Sequence, residues 1–328
     1  MIKKLPKIDL HCHLDGSVRV NTIIDIAKKE NIKIPSFNRD IIKELIQVPK
    51  DCTSLNEYLK RFELPNDVMQ SSYALERVAF ELLEDAAKEN IKYIEVRFAP
   101  QLHTKKGLNL SDIIQSVLNG IKKAENAYDI KGNLILGCMR IMSEEDGIEV
   151  VNAGLKFLNK GVVAIDLCGP EKEGFANEFR KITDLAREYG YNITIHAGEA
   201  ASAKNVIDSI NILGAKRIGH GVRIKDMKEA YDLVKEKGVT LEMCPTSNIQ
   251  TKAIESIEEY PFYDFFKDDI KTTINTDNRT VSNIDLSNEI DLMFNNLEVK
   301  DKYKDIYLYT VESTFADEKT KQWLKTLI

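Results

Sequence analysis

The chain is 328 residues long, 43% hydrophobic and 30% charged, with no low-complexity tract; this excludes a disordered chain and fits two ordinary domains or one large barrel with insertions. Its 46 basic and 52 acidic residues leave a net charge of −6, which argues against a nucleic-acid or anionic-membrane partner. Five cysteines without CxxC spacing, an N-terminus unlike a signal peptide and no apolar run of about 18 residues point to a cytoplasmic protein with reduced thiols.

Short apolar, β-branched runs alternate with helical patterns almost from end to end, which predicts βα units around a parallel sheet. The first predicted strand is 7–13. The segment that follows, roughly 14–92, is far longer than an ordinary crossover and is expected to be a helical insertion over the mouth of the sheet. Within it Leu55, Tyr58, Leu59 and Phe62 recur at i, i+3, i+4 and i+7, giving one apolar helix face. Core packing is the favoured expectation for that face, with a lid over a pocket as the alternative. Further strands are predicted at 93–98, 134–139, 162–167, 193–196, 217–220, 239–243 and 272–276. Beyond them the chain reads as helical, ending in a 309–327 segment that would complete an outer ring.

Eight strands is the barrel number, although an open doubly wound sheet would show the same alternation. Polar residues break the tie. His11, His13, His196, His220 and Asp277 all fall at or just past the C-terminal end of a predicted strand, and only a closed barrel brings those ends to one mouth. The expected architecture is therefore a single domain over 1–328, a (β/α)8 TIM barrel with a helical insertion after the first strand and additional C-terminal helices.

His11-Cys12-His13 lies on a strand, so both imidazoles point to one face and can share a metal. His196-Ala-Gly-Glu199 places an imidazole at a strand end and a carboxylate in the following turn. His220 stands between two glycines, which permits close approach of a ligand. Asp277 ends the last predicted strand and offers an oxygen ligand. Three histidines, a carboxylate and a water make a site with an open position, a catalytic arrangement that lowers the pKa of bound water to about 7. Neither HExxH nor the HxE with PCxxC pattern is present. Ser247 and Asn248, after Cys244-Pro245, are left evenly balanced between a structural and a functional role.

Taken together, Lys7-Ile-Asp-Leu-His-Cys-His-Leu-Asp-Gly-Ser17, His196-Ala-Gly-Glu199, Gly219-His-Gly221, Cys244-Pro-Thr-Ser-Asn248 and Asn275-Thr-Asp277 closely resemble the adenosine deaminase family of metal-dependent amidohydrolases. The resemblance implies one zinc per chain on His11, His13, His196 and Asp277, with Glu199 protonating purine N1 and His220 orienting and deprotonating the attacking water. It implies that His13, Asp15, Gly169 and Asn278 face the nucleoside. Relatives with two metals use a lysine on the fourth strand, and 162–167 offers none. Asn278 stands where family members commonly carry a second aspartate, and as an amide it is expected to donate to purine N7. The reaction so implied is hydrolytic deamination of adenosine, and of deoxyadenosine, to inosine and ammonia in purine salvage. Adenine, AMP or an N6-substituted nucleoside is the rival substrate; hydrolysis of an amide, or a zinc-binding barrel without activity, is a more distant alternative.

Overall fold

The computed structural model describes residues 2–328. Eight strands, β1 (Lys7–His13), β2 (Ile91–Phe98), β3 (Lys131–Met139), β4 (Val162–Cys168), β5 (Asn192–Ala197), β6 (Arg217–His220), β7 (Thr240–Met243) and β8 (Thr272–Ile274), pair in sequential order. Every pairing is parallel. The ring closes beyond β8, where Asp277 bridges to Cys12, its N–H donating to the His11 carbonyl at 2.8 Å and its carbonyl accepting from His13 N–H at 2.7 Å. The expected (β/α)8 barrel is thus the observed one.

The last strand ends two residues before the predicted limit. Asn275 still donates its N–H to the Met243 carbonyl at 3.0 Å, but toward β1 its side-chain Oδ1 accepts the Leu10 N–H at 3.0 Å, so a side chain replaces backbone pairing at the seam. Asp277 then takes a left-handed φ of 59°, which turns its carboxylate toward the mouth.

The long first connection resolves into two parts. Four short helices, α1 (Val20–Lys29), α2 (Arg39–Ile46), α3 (Leu55–Leu59) and α4 (Glu63–Val68), precede α5 (Ser72–Lys88). Ser71 caps α5 through the Ala74 N–H at 3.1 Å, and the helix buries Leu75, Val78, Ala79, Leu82 and Leu83 against β2 and α6 (Leu110–Ala127). So α5 is the ordinary crossover helix of the first βα unit, and the extra material is α1–α4.

The remaining crossovers carry α7 (Glu144–Gly154), α8 (Arg180–Tyr189), α9 (Lys204–Asn211), α10 (Lys228–Lys237), and α11 (Pro245–Gln250) with α12 (Phe262–Lys267). After β8 come α13 (Leu286–Asn296), α14 (Tyr303–Ser313) and α15 (Glu318–Lys325). Helix α14 packs on both β1 and β8 and so covers the seam at which the barrel closes.

Candidate active site

The strands deliver five side chains to one point at the barrel's C-terminal mouth. His11 and His13 come from β1, His196 from β5 and His220 from β6, while Asp277 follows β8. Gly219 makes this convergence possible: a Cβ there would lie 3.0 Å from the His11 ring and 3.3 Å from the His196 backbone. His220 itself adopts a left-handed φ of 64°.

The donor atoms cluster closely. One ligand atom from each of His11, His196, His220 and Asp277 lies within 4.8 Å of the others. His13 joins them, its Nε2 being 3.2 Å from His196 Nε2 and 3.4 Å from Asp277 Oδ1. His11 Nε2 is buried without a hydrogen-bond partner, 3.4 Å from the same carboxylate oxygen. Imidazole nitrogens crowded around one carboxylate, one of them unpaired and away from water, are the environment a divalent cation satisfies.

A buried ionic layer beneath the cluster fixes the rings. Glu242 Oε2 lies 2.8 Å from His11 Nδ1, and Asp166 Oδ2 lies 3.0 Å from His196 Nδ1. Arg97 joins these two carboxylates, at 2.7 Å and 3.0 Å, while Arg217 joins Glu242 to Glu95 at 2.6 Å each. Carboxylates on the Nδ1 side place the ring proton there and leave Nε2 as the free donor toward the centre. The arginines hold Glu242 well below the usual carboxylate range despite complete burial. Sequence reasoning does not single out Arg97, Asp166 or Glu242 as site residues. The available signal was a charge inside an apolar strand, as in Val96-Arg97-Phe98 and Leu241-Glu242-Met243.

Ser247 and Asn248 also reach the site. Helix α11 brings the Ser247 hydroxyl to donate to Asp277 Oδ2 at 2.5 Å and the Asn248 side-chain amide to His220 Nδ1 at 2.9 Å. The Tyr260 hydroxyl in turn donates to Asn248 Oδ1 at 2.9 Å. Burial, more than the neighbouring His11, holds the His220 imidazole well below the usual histidine range, in its neutral form.

Glu199 faces the cluster from the turn after β5. Its Oε2 lies 3.5 Å from His220 Nε2, and Thr251 donates to its Oε1 at 3.2 Å. Burial first, then the charges of Asp277 and Glu171, push its carboxyl up to about 8, so that a proton can be held there near neutrality.

Above these groups opens a cavity of about 670 Å³, lined among others by His13, Asp15, Gly169, His196, Glu199, His220, Asp277 and Asn278. His11 does not line it; its ring is wholly buried just beneath. Burial raises the Asp15 carboxyl to about 6. Asn278 presses its Oδ1 against Gly16, where a Cβ would come within 1.8 Å, and that oxygen has no hydrogen-bond partner.

The apolar face at 55–62 departs from its favoured expectation. Leu55, Tyr58, Leu59 and Phe62 all line the cavity, and only Tyr58 is fully buried, its hydroxyl 2.6 Å from Ser282 Oγ. The periodicity correctly marks one face, but α3 ends at Leu59 and continues as a 3-10 turn, so the face roofs a cavity instead of entering the main core. His103, the fifth histidine, stands apart: its Nδ1 lies 2.9 Å from the Met69 carbonyl and its ring stacks on Phe98.

Known proteins resemble this chain in sequence and fold. A family model described as adenosine deaminase matches residues 6–328. Adenosine deaminase of Clostridium botulinum (strain Okra) is 58% identical over 328 residues, covering 99% of this chain and 98% of that protein. Its counterpart from Clostridium perfringens (strain 13) is 55% identical over 326 residues, with 99% and 98% covered. Among solved structures, the Arabidopsis N6-mAMP deaminase superposes with a TM-score of 0.89 at 29% identity over 99% of this chain and 98% of that one. An adenine deaminase from Arthrobacter aurescens, 22% identical, shares the fold with a TM-score of 0.91 over 98% of each chain. With a match over nearly its whole length and a preformed donor cluster at the barrel mouth, the chain belongs to the adenosine deaminase family.

Proposed function

We propose that the protein hydrolyses adenosine, and 2′-deoxyadenosine, to inosine or deoxyinosine and ammonia, serving purine salvage in the cytoplasm as one compact catalytic domain. The observation that carries this reading is a carboxyl poised to hold a proton, Glu199, set beside a cluster of three histidines and an aspartate at the base of a cavity of about 670 Å³. The sequence identity to adenosine deaminases supports the substrate. Five unpaired, buried cysteines fit a reducing compartment.

A single zinc would be held by His11, His13, His196 and Asp277, an N/O donor set that suits this ion. When bound, it supplies Lewis acidity that makes water nucleophilic near neutral pH. The chain's own residues do the rest. Glu199 gives its proton to purine N1 as oxygen bonds to C6, which removes the negative charge developing on the ring. His220, neutral and held through Nδ1 by the Asn248 amide, orients the water from its Nε2 side. One proton of the water passes to the amino group, which leaves as ammonia, and the other restores the proton on Glu199. Asp15 and Gly169 position the ribose and base, and Asn278 offers its NH₂ to N7. A buried carboxylate at Asp15 accepts a ribose hydroxyl but repels a 5′-phosphate, which favours nucleoside over AMP.

Replacing Glu199 by Gln tests this chemistry. The variant is expected to bind nucleoside and retain one zinc per chain while kcat falls by about 10² to 10⁴, the usual contribution of acid-base catalysis. A kcat within about tenfold of the parent enzyme would remove Glu199 from the mechanism.

A further inference from the structure

The turn that carries Glu199 is held by another carboxylate. Glu171, in the loop after β4, accepts from four consecutive backbone N–H groups: Gly198 at 2.8 Å, Glu199 at 3.0 Å, Ala200 at 2.8 Å and Ala201 at 3.0 Å. The Asn205 side chain adds a fifth bond to Glu171 at 2.9 Å. Helix α9 begins only at Lys204, so these four N–H groups precede it and converge on one anion, as backbone nests do. Gly198 supplies the left-handed residue that shapes the nest, with a φ of 65°.

The anion in this nest comes from the chain itself, which makes it a clamp between two barrel loops. Asn205 reinforces it, donating also to the Lys172 carbonyl at 3.0 Å and accepting the Gly174 N–H at 3.0 Å. Arg140 ties the same loops from below, bonding the carbonyl oxygens of Gly169 and His196. Of the four residues in the clamped turn, Glu199 is the one that reaches the cavity. Small changes in the direction of this backbone therefore translate into displacement of its carboxyl, and catalytic groups tolerate little displacement.

We propose that Glu171 is a positioning residue: by gathering the 198–201 N–H groups it aims Glu199 at the substrate ring. This rests on Glu199 being the proton donor. Glu171 does not line the cavity and reaches Glu199 through the turn and through its charge, so its loss should appear in kcat and depend on Glu199 being present, and a loss in Glu171→Asp, which keeps the charge, reports the aim of the turn.

A double-mutant cycle on the zinc-loaded enzyme reads this dependence. Glu171→Gln should lower kcat for adenosine by about 10- to 100-fold, the scale seen when a group that orients an active-site ligand is removed, with KM and zinc content little changed. In a Glu199→Gln background the same change should cost less than about threefold, because there is no proton donor left to aim. Glu171→Asp, which keeps the charge but withdraws it by one methylene, goes through the same cycle and covers the case in which the Gln variant folds poorly. Losses at 171 and 199 that multiply would overturn the clamp while leaving the proposed chemistry intact. A Glu199→Gln enzyme that keeps its rate would overturn both.

Discussion

At the scale of single residues, Asn278 distinguishes this pocket most clearly. An aspartate facing purine N7 must be protonated to donate, whereas an amide donates at any working pH. The fit is tight: Oδ1 packs against Gly16, a position where any side chain would collide with the Asn278 carbons as well as with the oxygen. Asn278→Ala is expected to cost about 1–3 kcal/mol in kcat/KM for adenosine, the usual penalty for leaving a buried acceptor unpaired. The same change should cost far less for 7-deazaadenosine, which has no N7 lone pair. Equal losses on the two substrates would show that Asn278 is not the N7 partner.

At the scale of elements, α11 carries two of the groups that touch the centre, and its own placement depends on α13. Glu289 of α13, fully buried, accepts the Thr246 N–H with both oxygens at 3.3 Å. Burial, against the lowering effect of the Thr246 bonds, pushes its carboxyl up to about 8. A folded-state pKa above the ordinary 4.5 favours the protonated form in the native protein. That contribution to stability is complete below the unfolded value and is lost as pH rises through about 8. Glu289→Gln keeps an acceptor and removes the titration. Urea unfolding should show the variant gaining on the parent between about pH 4.5 and 8, by several kcal/mol in all, and levelling off above that window. A stability difference that does not vary with pH would contradict the assignment.

The elements also show what a reader of the sequence can and cannot see. Strand identity was legible because β-branched runs between turn signals are local, and the donor residues were legible because histidines are few and four of the five sit at strand ends. The ionic layer of Arg97, Asp166, Glu242, Arg217 and Glu95 was not. A lone charge within an apolar strand has no assignable partner until the ring is closed, and these five come from four different strands. Glu171 was hidden for a similar reason, since its partners are backbone N–H groups, which leave no mark in the sequence. The face at 55–62 follows the lid alternative and not the favoured core packing, because periodicity reports which side of a helix is apolar and is silent on whether protein or a cavity lies against it.

At the scale of the whole molecule, the catalytic arrangement is a consequence of closure. Asp277 meets His11 and His13 because the chain returns, after a full circuit of eight strands, to bond β1 through its own backbone. The mouth so formed is roofed by α3 and α4 with the turn between them, and its floor is a charged layer whose groups are paired across the barrel. Burying that many charges is tolerable only when each is met by another.

Comparison of substrates tests the account most directly. The zinc-loaded enzyme should be assayed for ammonia release from adenosine, deoxyadenosine, adenine and AMP under identical conditions. The two nucleosides should be deaminated with kcat/KM values at least about 100-fold above those for adenine and AMP, because adenine leaves the ribose contacts unmade and AMP sets a phosphate against Asp15. Absence of ammonia from all four, or faster turnover of AMP than of adenosine, would contradict the account.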